Sequence, residues 1–313
     1  MVIPVVIGPT AVGKSSLSIM VAERLQARGF RCELINLDSM LVYRGMDIGT
    51  AKPTAAERER VRHHLVDIVE IEWTATVAEF QSLARAAIHD CQGRHVIPVL
   101  VGGSALYTRA VIDDFSFPGT DPELRSRLEI ELDERGPAAL HDQLADLDPE
   151  AADDIQPGNG RRIVRAIEVV TITGKPFRAS LPRHTSALPG VLEFGLDAPR
   201  DWLDDRIAQR VDQMWAAGLV DEVRSLEARG LRETRTASKA LGYRQVLAHL
   251  AGEYGEDEAR SRTVTGTRRF ARKQYGWYRR DDRIAWLDSR DPGVATAVTD
   301  RILAAAETPD VGD

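Results

Sequence analysis

Residues Gly8 to Ser15 read GPTAVGKS and fit the pattern G-x-x-x-x-G-K-[ST]. Backbone N–H groups of such a loop converge on an anion, assisted by the positive end of the helix that follows. In this pattern Lys14 reaches the distal phosphates, and the Ser15 hydroxyl is placed for a magnesium ion or a phosphate oxygen. The eight residues Gly8, Pro9, Thr10, Ala11, Val12, Gly13, Lys14 and Ser15 are therefore the candidate diphosphate cradle. Asp38 opens a second segment, DSMLVYRGMDIGTAKP, ending at Pro53. A carboxylate beside a phosphate loop can hold magnesium or act as a general base. Tyr43, Arg44, Asp47, Thr50 and Lys52 crowd the same segment, where helical periodicity is low; loops of that kind tend to carry function.

Further constellations are less decisive. Gly102-Gly103-Ser104-Ala105-Leu106-Tyr107 lets backbone approach a ligand closely, and a tight structural turn would use the same residues. The run Thr267 to Arg280, TRRFARKQYGWYRR, repeats Arg268, Arg272 and Arg279 at helical spacing, with Arg269, Lys273 and Arg280 alongside. That broad basic face lacks acids of its own and points to a phosphate-rich partner. Phe270 and Trp277, seven apart, are expected to anchor the helix to the core. Arg161, Arg162 and Arg165 form a smaller basic strip. Arg244 in ALGYRQ suits either a phosphate contact or an ion pair. His63 and His64 are adjacent, so they point apart, and metal binding is not expected of them.

These residues need a scaffold. Val2, Ile3, Val5, Val6 and Ile7 predict a strand before the phosphate loop, and Ser16 to Leu25 predict an amphipathic helix after it. Three further strands are predicted: Cys32 to Leu37, Val96 to Val101 and Val191 to Leu196. Strands separated by helical stretches give an α/β fold, a parallel sheet with helices on both faces, and its ligands collect at the carboxyl ends of strands. After Pro118 the pattern becomes helical. Asp121-Pro122-Glu123 starts one helix, Gly136 ends it, and Pro137 opens another to about Leu147. A third is predicted from Arg161 to Thr173. The expected division is a core of residues 1–118 and 190–313 with an all-α insertion at 119–189. From Asp201 the pattern is helical almost to the end, and the acidic tail from Ala305, with Pro309 and Gly312, is expected to be disordered.

Composition narrows the class. The chain has 313 residues, 43% hydrophobic and 28% charged, as a water-soluble globular protein does. No apolar run approaches a membrane span, and the first residues enter a strand without a basic leader, so a cytoplasmic protein is expected. Cys32 and Cys91 have no cysteine or histidine at ligand spacing in sequence, which predicts two reduced thiols and no zinc site. A formal charge of −7 argues on average against nucleic acid, but the local basic strips overrule it.

GPTAVGKS, the Asp38 segment, GGSALY, GRRIVRAIE, ALGYRQ and the basic helix occur in this order. Together they resemble the bacterial tRNA dimethylallyltransferase family, from the first strand to about Asp288. The resemblance implies a P-loop NTPase-like core that moves a dimethylallyl group from dimethylallyl diphosphate to the exocyclic amine of the adenosine 3′ of a tRNA anticodon, in a monomeric enzyme using Mg2+ held through Ser15. It implies that Asp38, Lys14, Ser15 and Arg244 are catalytic, with Arg244 on the diphosphate. It also implies that Asp38, Ser39, Met40, Leu41, Ser104, Arg125, Arg161, Arg162, Ile163, Val164 and Arg165 face the tRNA anticodon stem-loop, with Arg269 and Lys273 on its backbone. Ser15 and Ser104 stand where threonine is frequent, and Leu41 where glutamine is common. A bacterial-type enzyme, without the zinc-finger extension of eukaryotic relatives, is expected. A phosphate-loop kinase using ATP would leave the basic helix unexplained. A prenyltransferase of free adenine nucleotides would not need the insertion, and an RNA-binding switch would need base-reading motifs that are missing.

Overall fold

The computed structural model describes residues 1–74, 76–115, 117–177 and 185–307. Six strands form one sheet in the order β3-β2-β4-β1-β5-β6: β1 Ile3–Ile7, β2 Cys32–Asn36, β3 His63–His64, β4 Ile97–Gly102, β5 Val191–Asp197 and β6 Ala285–Asp288. Every pairing is parallel, with Val6 opposite Val101 of β4 on one side and Phe194 of β5 on the other. β1 is thus internal, buried on both faces. Ile3, Val5 and Ile7 join one buried cluster, and Val2 and Val6 join the other. Each such side chain, fully buried, contributes about 1.5–3 kcal/mol. That continuous apolar run is the signature of a parallel strand covered by helices on both sides.

The helix Lys14–Ala27 leaves β1 directly and packs against the helix Val294–Glu307. That last helix includes Ala305 to Glu307, so order extends past the expected start of the tail. Pro309 and Gly312 lie outside the described residues. β6 is a further correction, since the chain after Asp201 is not helical throughout. Its four residues, AWLD, sit among charged neighbours and offer no alternation, and only pairing with β5 makes them a strand. The two-residue β3 is invisible for the same reason.

The chain divides into two compact units, Met1–Ile112 with Leu188–Asp313, and Asp113–Ala187. The second is helical, with no strand among its described residues beyond an isolated bridge between Asp113 and Ser186. Asp121 caps the helix Pro122–Leu147 by accepting N–H bonds from Glu123 and Leu124, each at 3.0 Å. Gly136, at φ 79° and ψ 167°, breaks that helix in two, and Pro137 restarts it. A short helix, Pro149–Asp154, is additional to the expected three. Gly160–Thr173 ends at Gly174 in the left-handed region, where glycine carries no penalty. Leu128, Leu140, Leu144, Ile163, Val164 and Ile167 form this unit's own core.

Candidate active site

The phosphate loop is held open by backbone that few residues tolerate. Gly8 has φ 146°, and a Cβ there would fall 2.8 Å from the Leu196 carbonyl oxygen of β5. Gly13 has φ 109° at the mouth of the helix, and Ala11 holds φ 64° without being glycine. The Arg206 guanidinium donates to the Ala11 carbonyl at 3.0 Å, pinning that strained residue. Lys14 turns back over the loop and donates to the Pro9 carbonyl at 2.7 Å.

Two concavities meet at this loop. One is lined by Thr10, Lys14, Ser15, Asn36, Asp38, Leu41, His63, Gly103, Arg210, Phe270 and Gln274 and encloses about 100 Å³. The other, lined by Gly13, Lys14, Ser15, Ser16, Arg206 and Arg210, opens more widely. Lys14, Ser15, Ala51 and Arg210 belong to both, so a ligand at the loop is reachable from two sides. Burial and the neighbouring Arg210 lower the Lys14 pKa from 10.5 to about 7, against the pull of Asp38. Burial also lowers Arg210, and Asp38 again opposes it. Two desolvated cations facing one carboxylate describe a site that needs an anionic ligand.

Asp38 follows β2 and is locally fixed. Its N–H donates to Asn36 Oδ1 at 2.7 Å, and its Oδ1 accepts the Met40 N–H at 2.9 Å. Asn36 in turn donates to the carbonyls of Asp38 and Leu65 at 2.8 and 2.9 Å. Leu41 lines the cleft with it. Ser39 is buried with its hydroxyl on Tyr107, and Met40 packs against the core. Ser104 is half-buried at the start of the helix Ala105–Ile112. The glycines before it serve close packing. A Cβ on Gly102 would meet Leu37 at 2.6 Å, and one on Gly103 would meet Gln274 at 2.5 Å.

Most polar residues after Asp38 brace the segment, while Thr50 lines the cleft. Lys52 is buried and donates to the Tyr43 carbonyl at 2.7 Å and to Asp47 at 2.6 Å, with Asp67 beside it. Arg44 pairs with Glu70 at 2.9 Å. Glu222 accepts the N–H groups of Asp47, Ile48 and Gly49 at 3.0, 2.8 and 3.3 Å, and the Tyr243 hydroxyl at 2.6 Å. A Cβ on Gly49 would strike the Tyr243 ring at 2.4 Å. ALGYRQ thereby acts through Tyr243 as a support for the Asp38 segment.

Arg244 itself is exposed on the helix Tyr243–Leu250, near Gly266, and does not line the cleft. Arg210, on the helix Arg200–Ala216, lines the cleft beside Lys14. No motif marks Arg210, although its spacing four residues from Arg206 on one helix face was visible.

The basic helix, Glu256–Tyr278, is buried through Ala259, Thr263, Ala271, Gln274 and Tyr278. Phe270 and Trp277 are not its anchors. They are 40% and 62% exposed, because the buried face is the one that Ala271 and Gln274 occupy. Arg268 bonds the Asp204 carbonyl at 3.1 Å, and Arg279 pairs with Asp197 while stacking on Tyr275 and Trp286. Acids from other elements thus neutralise part of the strip. Arg269, Arg272, Lys273 and Arg280 are exposed without an ion-pair partner among the described residues. In the helical unit Ile163 and Val164 point into the core, and Arg125 and Arg165 both pair with the buried Glu168. Burial would raise the Glu168 pKa, but the two arginines hold it below its usual value. Arg161 is exposed and Arg162 partly so.

His63 faces the cleft, its Nδ1 2.7 Å from the Val61 carbonyl, and burial lowers its pKa. His64 points away, as adjacent strand residues do, and its Nε2 lies 2.6 Å from Glu33 and 3.8 Å from Cys91. Folding thus supplies neighbours to Cys91 that spacing did not show. The Arg94 guanidinium already occupies both Glu33 oxygens, at 2.8 and 2.7 Å.

The IPP transferase family pattern matches residues 41–281. Over 302 residues the chain is 57% identical to the tRNA dimethylallyltransferase of Cutibacterium acnes, covering 96% of this chain and 94% of that protein. The chain belongs to the tRNA dimethylallyltransferase family. The Thermobifida fusca member is 59% identical, over 96% of this chain and 92% of its own length. The crystal structure of the full-length tRNA isopentenylpyrophosphate transferase from Bacillus halodurans superposes with a TM-score of 0.71 at 38% identity, covering 98% and 97% of the two chains. A eukaryotic dimethylallyltransferase acting on tRNA gives 0.77 at 26% identity, over 92% of this chain and 74% of its own. The family's P-loop NTPase-like fold is the one described above.

Proposed function

We propose that the chain transfers a dimethylallyl group from dimethylallyl diphosphate to the N6 amine of the adenosine immediately 3′ of a tRNA anticodon. The observation that carries this reading is the cleft in which Lys14 and Arg210, both desolvated, share one space with Asp38. The C1–O bond to diphosphate breaks while the N6–C1 bond forms, and the N6 proton passes to Asp38. Diphosphate leaves with the electron pair of the broken bond. Loop N–H groups, Lys14 and Arg210 stabilise that leaving charge where it develops. Asn36 fixes the Asp38 backbone, and the Met40 N–H holds its carboxylate for the amine. The adenine is reached only after extrusion from its stack.

Ser15 offers a hard hydroxyl oxygen beside Lys14, a donor that suits Mg2+ shared with diphosphate oxygens and water. Bound there, the ion would spread leaving-group charge. Arg269, Arg272, Lys273 and Arg280 are the unpaired cations for the RNA backbone, and exposed Arg161 and half-buried Arg162 are those of the helical unit. Unmodified tRNA incubated with dimethylallyl diphosphate and Mg2+, then digested for nucleoside mass spectrometry, tests the reading. N6-dimethylallyladenosine is the expected product. ATP turnover without it would replace the reading with a phosphate-loop kinase.

A further inference from the structure

Gln274 is a buried amide between two halves of the candidate site, 6% exposed on the helix Glu256–Tyr278. Its Oε1 accepts the Thr10 N–H of the phosphate loop at 2.9 Å, and its Nε2 donates to the Gly103 carbonyl at 2.8 Å. The opposite flip would set NH2 against an N–H donor and oxygen against a carbonyl, so the partners dictate the orientation. There is no slack around it. A Cβ on Gly103 would lie 2.5 Å from Gln274 Nε2 and 3.4 Å from Lys14 Nζ. The preceding residue, Lys273, is exposed, and so is Trp277, about one turn along the same helix.

Resting on the reading above, we propose that Gln274 is a positioning residue that links RNA on the outer face of this helix to diphosphate in the loop. The amide holds the Thr10 end of the loop in its anion-receiving shape, and contact between RNA and the outer face of the helix reaches the loop through it. The linkage is reciprocal, because a coupling free energy belongs to both ligands. Without it, each ligand would bind as though the other were absent.

Calorimetry with inorganic pyrophosphate in magnesium buffer, with and without an unmodified anticodon stem-loop, reads this coupling. For the natural sequence the stem-loop is expected to tighten pyrophosphate binding by about fivefold or more, and pyrophosphate to tighten the stem-loop by the same factor. Gln274→Met keeps the volume and removes both bonds. It is expected to bring that factor to about one, while the stem-loop alone binds within about threefold of normal. Gln274→Glu keeps the Thr10 acceptor and sets a carboxylate against the Gly103 carbonyl. It is expected to lose the coupling as well, which guards against misfolding of a single variant. Full coupling in either folded variant, or none in the natural sequence, would overturn the proposal. If the natural sequence prenylates tRNA yet shows no coupling, this inference alone fails. If it neither prenylates tRNA nor binds pyrophosphate, the functional reading fails first.

Discussion

Lys14 carries the clearest consequence at the scale of single residues. Its ammonium titrates near pH 7 in the free site, against an ordinary 10.5, because burial and Arg210 disfavour its charge. A bound diphosphate favours that charge, so above about pH 7 donor binding must take up a proton. KM for dimethylallyl diphosphate is therefore expected to rise as pH climbs from 7 toward 9, and calorimetry in buffers of different ionisation enthalpy should record the uptake. Arg210→Ala removes the second cation from the leaving group and should cost about 100-fold in kcat/KM, with the Kd for tRNA nearly unchanged. Arg244→Ala is the control, since its side chain does not line the cleft, and its effect should fall on tRNA binding or stability instead. Asp38→Asn keeps shape and hydrogen-bonding capacity but cannot take the proton. Single-turnover rates should fall by about 100- to 10,000-fold while the RNA still binds.

Among the elements, the loop after β2 depends on a partner far along the chain. Glu222 satisfies three backbone N–H groups of that loop and the hydroxyl of Tyr243. Losing Glu222 leaves the hydroxyl of the buried Tyr243 without its acceptor, which costs about 1–3 kcal/mol. Glu222→Ala should lower Tm by several degrees and raise donor KM as well, because Thr50 and Ala51 of this loop line the cleft. A drop in Tm with unchanged KM would mean that the loop keeps its shape without the brace. The resemblance to the family marked both segments as important. It did not show that one acts through the other.

For the whole molecule, charge is a matter of placement. The chain is acidic overall, at −7, yet Arg269, Arg272 and Lys273 on one helix and Arg280 in the turn after it stand without ion-pair partners among the described residues. Reversing Arg269 and Lys273 to Glu should weaken tRNA binding and flatten the slope of log K against log salt by about 1 to 2, counting roughly one released counterion per lost contact. An unchanged slope would take the helix out of the RNA contact. Trp277→Ala tests the other property of that surface. An exposed indole beside free cations suits stacking on an unpaired base, worth about 1–3 kcal/mol, and its loss should weaken tRNA binding without altering the salt slope.

Short-range order was legible in the residues alone. The phosphate loop, its strand and helix, and the capped helices of the insertion follow from apolar periodicity and from glycine and proline placement, which act within a few residues. The family could be read too, because its motifs are contiguous. What no local pattern contained was partnership across the sheet. β3 and β6 are strands only through pairing, Arg210 joins the loop only because its helix packs there, and Phe270 lines the cleft and Trp277 the surface because Ala271 and Gln274 fill the buried side. Contacts between residues more than a hundred positions apart, such as Thr10 with Gln274 or Gly49 with Glu222, depend on how whole faces bury. The packing of complete elements decides them, so they appear only with the tertiary structure.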